Sequence, residues 1–173
     1  MEELKKVVRE VPDFPKKGIL FYDITTLLKN GAAFSKAVDA LSERYAGKEV
    51  DAVAAIEARG YIFGPALAYR LGAGFVPIRK PGKLPARTIR ETYELEYGTD
   101  TIEMHEDAVQ AGQKILVVDD LLATGGTSAA ACRLVEKAGG RVVECCFLIE
   151  LTFLKGREKL GSRKVFSLLR YDA

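Results

Sequence analysis

The sequence predicts an α/β fold, a mostly parallel sheet flanked by helices and interrupted by one antiparallel hairpin. Three observations lead there. The runs VDAVAAIE, KILVVD and VVECCFLIE are almost continuously apolar, as strands buried on both faces are. Stretches with apolar residues three and four apart lie between such runs, so strands alternate with helices. ETYELEYG sets Tyr93, Leu95 and Tyr97 against Glu94 and Glu96, and after a polar turn TIEM alternates back, as a half-exposed hairpin does.

The elements follow in order. Leu4, Val7, Val8 and Val11 fall at helical spacing and predict a short amphipathic helix over 2–11, ended by Pro12. PDFPKKGILFYDIT (12–25) carries two prolines and a glycine and reads as a structured loop. Phe34, Val38, Leu41 and Tyr45 predict a second helix, stopped by Gly47. VDAVAAIE (50–57) is a buried strand, GPALAYRLG (64–72) a helix with Pro65 in its first turn, and GFVPIRK (74–80) a short strand. KPGKLPARTIR (80–90) combines two prolines, one glycine and four basic residues, which predicts an exposed, mobile loop. The hairpin of 91–104 comes next, then the strand KILVVD (114–119) and the helix TSAAACRLVEKAG (127–139), closed by Gly139 or Gly140. VVECCFLIE (142–150) and KVFSLLRY (164–171) are the last strands.

Bulk properties narrow the function. The chain has 173 residues, suits one domain, and is 48% apolar, enough to build a core. Its net charge of +2 is too balanced for a dedicated nucleic-acid binder. No apolar run approaches the ~20 residues of a membrane span, and the stretch after Met1 does not resemble a signal peptide. Cys132, Cys145 and Cys146 have no Cys-x-x-Cys spacing, and His105 is the one histidine, so a structural zinc site is not expected. Such sparse cysteines fit small core residues in a reducing cytoplasm. His105 reads as a surface or sheet-edge residue.

The chemistry concentrates in VVDDLLATGGTSAA (117–130). KILVVDD brings two aspartates to the carboxyl end of a strand, the edge where open α/β sheets bind ligands. The turn after it leads into a helix whose first N–H groups lack intrahelical partners and form an anion site. Gly125 and Gly126 let a phosphate approach the backbone, and Thr124 and Thr127 add hydroxyl donors. The triphosphate-binding pattern GxxxxGK[ST] and the dinucleotide pattern GxGxxG are both missing. Asp119 and Asp120 repel phosphate but accept hydrogen bonds from a vicinal diol or attract a Mg²⁺ on substrate oxygens. Phosphate on one side and diol-binding acids on the other describe a ribose 5-phosphate. The bland alternative is two acids that cap a neighbouring helix.

Other pieces leave two readings each. Arg59, after the strand at 50–57, either grips a diphosphate with its planar fork or pairs with Glu57 or another acid. Arg79, Lys80 and Lys83 either form a lid over a diphosphate or a solvated basic loop. Phe21, between Leu20 and Tyr22, either stacks on a planar base or packs in the core. Glu96 is either a general acid/base or an exposed strand residue.

VVDDLLATGGT resembles the phosphoribosyl diphosphate motif of the type I phosphoribosyltransferases. FPKKGILFYDIT, IEARGYIFG and RKPGKLP with ETYELEYG extend the resemblance, in order, to the adenine-specific branch of that family over essentially the whole chain. The resemblance implies a single domain over 1–173, with segment 12–28 contributing to a base-binding hood and a mobile loop at about 79–100. It implies transfer of the phosphoribosyl group from 5-phospho-α-D-ribose 1-diphosphate to adenine, giving AMP and pyrophosphate. It assigns catalysis to Arg59, Glu96, Asp119 and Asp120. Phosphate and ribose fall to Asp119, Asp120, Ala123, Thr124, Gly125, Gly126 and Thr127. Adenine falls to Phe21 by stacking, to the backbone of Leu20 and Tyr22, and to Leu122. Pyrophosphate falls to Arg59, Arg79, Lys80 and Lys83. It further implies Mg²⁺ held mainly by substrate, through water to Asp119 or Asp120, a homodimer whose basic loop reaches the neighbouring site, and a cis peptide at Ala58–Arg59. The rivals are another base on the same scaffold, such as hypoxanthine, guanine, xanthine or orotate, and a non-enzymatic sensor of the diphosphate sugar. The second would need a DNA-binding segment, for which the stretch before Pro12 is too short.

Overall fold

The structure, a computed structural model, describes residues 1–95 and 98–172. A short helix, α1 (Glu2–Lys5), precedes a hairpin of β1 (Arg9–Pro12) and β2 (Leu20–Asp23). Two helices follow, α2 (Thr25–Leu28) and α3 (Gly31–Glu43), the second capped where the Asn30 side chain accepts the Ala33 N–H at 3.1 Å. Then come β3 (Ala52–Ile56), α4 (Gly60–Leu71) and β4 (Gly74–Ile78). An antiparallel pair, β5 (Thr88–Glu94) and β6 (Thr99–His105), leads into β7 (Lys114–Leu122), α5 (Gly126–Lys137) and β8 (Arg141–Leu151). A 3-10 turn (Thr152–Leu154), α6 (Gly156–Leu160) and β9 (Val165–Tyr171) complete the chain.

The central sheet has five parallel strands in the order β4-β3-β7-β8-β9. Its strands send alternate side chains to two cores. Val53 and Ala55 of β3 join Leu116 and Val118 of β7 under α3 and α4. Ala52, Ala54 and Ile56 join Ile115 and Val117 under α5. Cys145 and Cys146 divide between the two cores in the same way, as adjacent strand residues must. Each fully buried aliphatic side chain contributes about 1.5–3 kcal/mol. These layers fix the carboxyl ends of β3 and β7 side by side. Among the described residues, no helix is long and apolar enough to cross a membrane.

Several expectations are corrected. The first helix ends at Lys5, and Val11 lies in β1 opposite Phe21, because pairing with β2 competes for the same valine-rich stretch. The structured loop of 12–25 therefore contains a strand. α4 starts at Gly60, so Pro65 lies inside it. β7 runs two residues past Asp120 to Leu122. Thr88–Arg90, expected within the basic loop, already pair with β6. The segment 152–160 carries a turn and a helix that apolar periodicity did not signal.

Candidate active site

Asp119 and Asp120 follow the buried run Ile115–Val118 of β7, and Arg59 stands beside them at the start of α4. With Leu121 and the turn from Ala123 to Ser128 they line a cavity of about 220 Å³. That is smaller than the ~300–1,000 Å³ of a whole-ligand pocket, so it suits a sugar phosphate with further groups held at its rim. A larger cavity of about 370 Å³, lined by Arg44, Lys48, Lys114 and Lys164, lies near the amino ends of β7 and β8, away from the strand edge where ligands bind.

The two acids differ in their surroundings. Asp120 is 6% exposed, and its Oδ2 pairs with Arg59 Nε at 2.9 Å. Asp119 Oδ1 accepts the Asp120 N–H at 2.9 Å. α4 approaches closely there, since a Cβ added to Gly60 would lie 3.0 Å from Asp119 Oδ1. Burial, and then the charge of Asp120, pushes the Asp119 carboxyl well above the usual range. Burial also raises that of Asp120, against the opposing charge of Arg59. Two desolvated carboxylates so placed are stabilised by hydroxyl donors or a cation, the chemistry of a diol or a substrate-bound metal. No cluster of three metal-binding side chains occurs among the described residues.

The turn between β7 and α5 takes its shape from glycine. Gly125 has φ +81° and precedes the first residue of α5. A side chain there would also run into the carbonyl of Gly156 at the start of α6. No side chain caps α5, so the first N–H groups of this helix face the cavity mouth without partners in the helix. Thr127 Oγ1 donates to the Tyr93 hydroxyl at 3.1 Å. Tyr93 in turn donates to Asp100 Oδ2 at 3.1 Å, and Lys80 forms an ion pair with that same oxygen.

Phe21 adjoins the cavity through Arg59, whose guanidinium carbon lies 5.6 Å from the ring centroid. Phe14 meets the same ring edge-on at 5.2 Å. Leu20 is 36% exposed, whereas the Tyr22 side chain is buried against Tyr171. β2 pairs only with β1 among the described residues, which leaves its outer backbone edge available.

The basic loop is held back from the cavity. Glu57 accepts Arg79 Nε at 2.9 Å and the Lys80 N–H at 2.7 Å. Burial opposes ionisation of Glu57, but these donors prevail and lower its pKa. Arg79 also reaches the Lys83 carbonyl at 3.3 Å, while the Lys83 side chain is exposed. Thus Glu57 takes Arg79, and Arg59 takes Asp120. The cis peptide is Glu57–Ala58, one bond earlier than expected. The Leu122 side chain is 0% exposed in the α5 core, and its neighbour Leu121 lines the cavity. Glu96 lies outside the described residues. Tyr93, Asp100, Leu121 and Ser128 were not singled out from sequence as site residues. His105 is partly buried at the edge of β6, where its Nε2 accepts the Ala86 N–H at 3.3 Å.

Known proteins resemble this chain in sequence and fold. The family model for the phosphoribosyl transferase domain matches residues 23–168. An adenine phosphoribosyltransferase of Acidobacterium capsulatum is 65% identical, covering 99% of this chain and 94% of its own. The solved adenine phosphoribosyltransferase of Thermoanaerobacter pseudethanolicus superposes with a TM-score of 0.95 at 56% identity, covering 98% of this chain and 99% of that one. The enzyme of Saccharomyces cerevisiae, solved with adenine and an imino-altritol bisphosphate, gives 0.92 at 45% identity over 97% of both chains. A shared fold and this identity over nearly the full length leave one conclusion, that the chain belongs to the type I phosphoribosyltransferase family.

Proposed function

We infer that the chain transfers the 5-phosphoribosyl group from 5-phospho-α-D-ribose 1-diphosphate to adenine, releasing AMP and pyrophosphate. The observation that carries this reading is the position of Arg59, which touches Asp120 of the sugar cavity and the ring of Phe21. One arginine therefore stands where a sugar, its leaving group and a planar base meet. The relatives named for this activity, and the yeast enzyme held with adenine, support the choice of base.

In this mechanism the amides of the phosphate turn and the hydroxyls of Thr124 and Thr127 hold the 5-phosphate. Asp119 and Asp120 accept from the ribose 2- and 3-hydroxyls. Diphosphate replaces Asp120 as the partner of Arg59, which frees that carboxylate for the diol. The C1–O bond to pyrophosphate breaks as adenine N9 bonds to C1, through an oxocarbenium-like state that requires no protein nucleophile. Asp119 and Asp120 offset the positive charge on the ring, and Arg59, Arg79, Lys80 and Lys83 offset the negative charge on pyrophosphate. Phe21 stacks on the adenine, while backbone groups of Leu20 and Tyr22 read its edge. Glu96 is assigned to proton handling at the base. The two desolvated acids Asp119 and Asp120 suit Mg²⁺: substrate oxygens would hold it, with Asp119 or Asp120 reaching it through water, and it would supply charge neutralisation at the diphosphate. The basic segment within 79–100 closes over the site and reaches a neighbouring subunit in a homodimer. Three free, buried cysteines suit the reducing cytoplasm.

Pyrophosphate release, measured with adenine, hypoxanthine and orotate in parallel and with a no-base control, tests the assignment. Release with adenine alone is the expected result. Equal release without base would reduce the activity to hydrolysis, and preference for hypoxanthine or orotate would replace the base.

A further inference from the structure

We propose that Tyr93 is a positioning residue for the 5-phosphate, acting through Thr127 by reversing a hydrogen-bond chain; the proposal rests on the phosphoribosyl reading of the cavity. Tyr93 is 7% exposed, and its ring lies against the phosphate turn, where a Cβ on Gly126 would sit 3.4 Å from a ring carbon. In this structure the chain of donors runs away from the cavity. Thr127 donates to Tyr93 at 3.1 Å, and Tyr93 donates to Asp100 at 3.1 Å. Burial raises the Tyr93 pKa, so the phenol keeps its proton at neutral pH.

A phosphate dianion has no hydrogen to give. Thr127 must therefore turn its O–H from Tyr93 to a phosphate oxygen. Its own oxygen is then free to accept, and Tyr93 is the hydroxyl beside it. If Tyr93 turns its proton from Asp100 to Thr127, the chain runs toward the ligand, from Tyr93 to Thr127 to phosphate. Each hydroxyl in such a chain strengthens its neighbour. Asp100 loses one donor but keeps the Lys80 ammonium and the Thr101 N–H at 2.8 Å, so its carboxylate is not orphaned. With ribose 5-phosphate, which offers Lys80 no diphosphate, the Lys80–Asp100 pair keeps the cost of the reversal small. Only a side chain that both donates and accepts can serve at position 93.

Calorimetric titration with ribose 5-phosphate tests this in six proteins, namely the wild type, Tyr93→Phe, Thr127→Val, Thr127→Ser and the two double variants, with melting temperatures as a control for folding. Tyr93→Phe should weaken binding about 3- to 10-fold, the size of one lost hydrogen bond. In turnover assays the loss should fall on KM for the diphosphate sugar rather than on kcat or on KM for adenine. In the Thr127→Val background, Tyr93→Phe should add nothing further. In Thr127→Ser, which keeps the hydroxyl, the loss should reappear. Unchanged binding by Tyr93→Phe, or an equal loss with and without the Thr127 hydroxyl, overturns the proposal and makes Tyr93 a packing residue. Failure of the wild type to bind ribose 5-phosphate instead overturns the reading of the cavity itself.

Discussion

Arg59 and Asp120 form an ion pair of 2.9 Å between the start of α4 and the carboxyl-end half of β7. The pair offsets only part of the cost of placing two adjacent carboxylates there, because both acids remain shifted upward. A carboxyl whose folded pKa is raised binds its proton longer when folded than when unfolded. Its contribution to stability therefore falls as pH rises from the ordinary carboxylate value through the raised one. Asn at both positions should remove that slope. Asp119→Asn with Asp120→Asn should cut turnover roughly 10²- to 10³-fold while the melting temperature at neutral pH holds or rises. Melting curves across pH and a pyrophosphate assay check both halves. A drop in melting temperature would show the acids to be structural.

Phe21 meets Phe14 edge-on and Arg59 over its face, but it remains only partly buried. Stacking of a base on an aromatic ring is worth about 1–3 kcal/mol. Phe21→Ala should raise KM for adenine roughly 5- to 150-fold, by the same stacking energy. KM for the diphosphate sugar should change far less, because the amides of the phosphate turn and both aspartates are untouched. Steady-state kinetics with each substrate varied in turn gives the comparison. Equal rises in both constants would assign Phe21 to packing.

The parts of this site that could be read from sequence are those carried by contiguous residues. Apolar runs located β3, β7 and β8, and the aspartates after one run marked the ligand edge of the sheet. DDLLATGGT held in one stretch the two acids and the glycine turn that line the cavity. What sequence hid depends on residues that meet across the fold. Tyr93 and Thr127 are 34 positions apart, and Glu57 and Arg79 are 22 apart. No local pattern pairs them. Leu121 and Leu122 are both apolar, and only the continuation of β7 decides which faces the cavity and which the core. The valines at 7, 8 and 11 satisfy a helix pattern, but pairing with β2 takes Val11 into a strand.

Gly125 carries a second constraint besides access for phosphate. Its left-handed backbone alone would cost a residue with a side chain about 1–2 kcal/mol. A Cβ would also collide with Gly156, and one on Gly156 would collide with the Ala123 carbonyl and lie 2.9 Å from Leu122 Cδ1. Gly125→Ala and Gly156→Ala should each lower the melting temperature and raise KM for the diphosphate sugar, since either change displaces the phosphate turn. Gly31→Ala is the control, because its Cβ would enter open space at the first turn of α3. It should leave both readouts unchanged or raise the melting temperature slightly. Calorimetry of the three variants decides the matter, and a Gly156→Ala protein indistinguishable from wild type would count against the backbone contact.

Glu57 anchors the base of the basic loop at two points, through the Arg79 side chain and the Lys80 backbone N–H. A third tie is main-chain, where Arg79 and Glu103 exchange hydrogen bonds of 2.9 and 2.7 Å. Removal of the carboxylate deletes the first two ties and leaves the third, together with the Lys80–Asp100 ion pair and a 3.2 Å bond from the Gly82 N–H to Glu103 Oε2. Glu57→Ala should therefore free the segment after Lys80 without detaching it from β6. Local opening of this kind is read by proteolysis, because a cleavable bond must leave its anchored conformation to enter a protease. Lys80 precedes Pro81 and resists trypsin, so the informative bonds follow Lys83 and Arg87. Cleavage there, timed by mass spectrometry, should be faster in Glu57→Ala than in the wild type, and saturating pyrophosphate should slow it in both as the basic side chains acquire a partner. Identical cleavage rates in the two proteins would mean that the remaining ties to Glu103 and Asp100 hold the loop without Glu57, and that Glu57 serves only to neutralise Arg79.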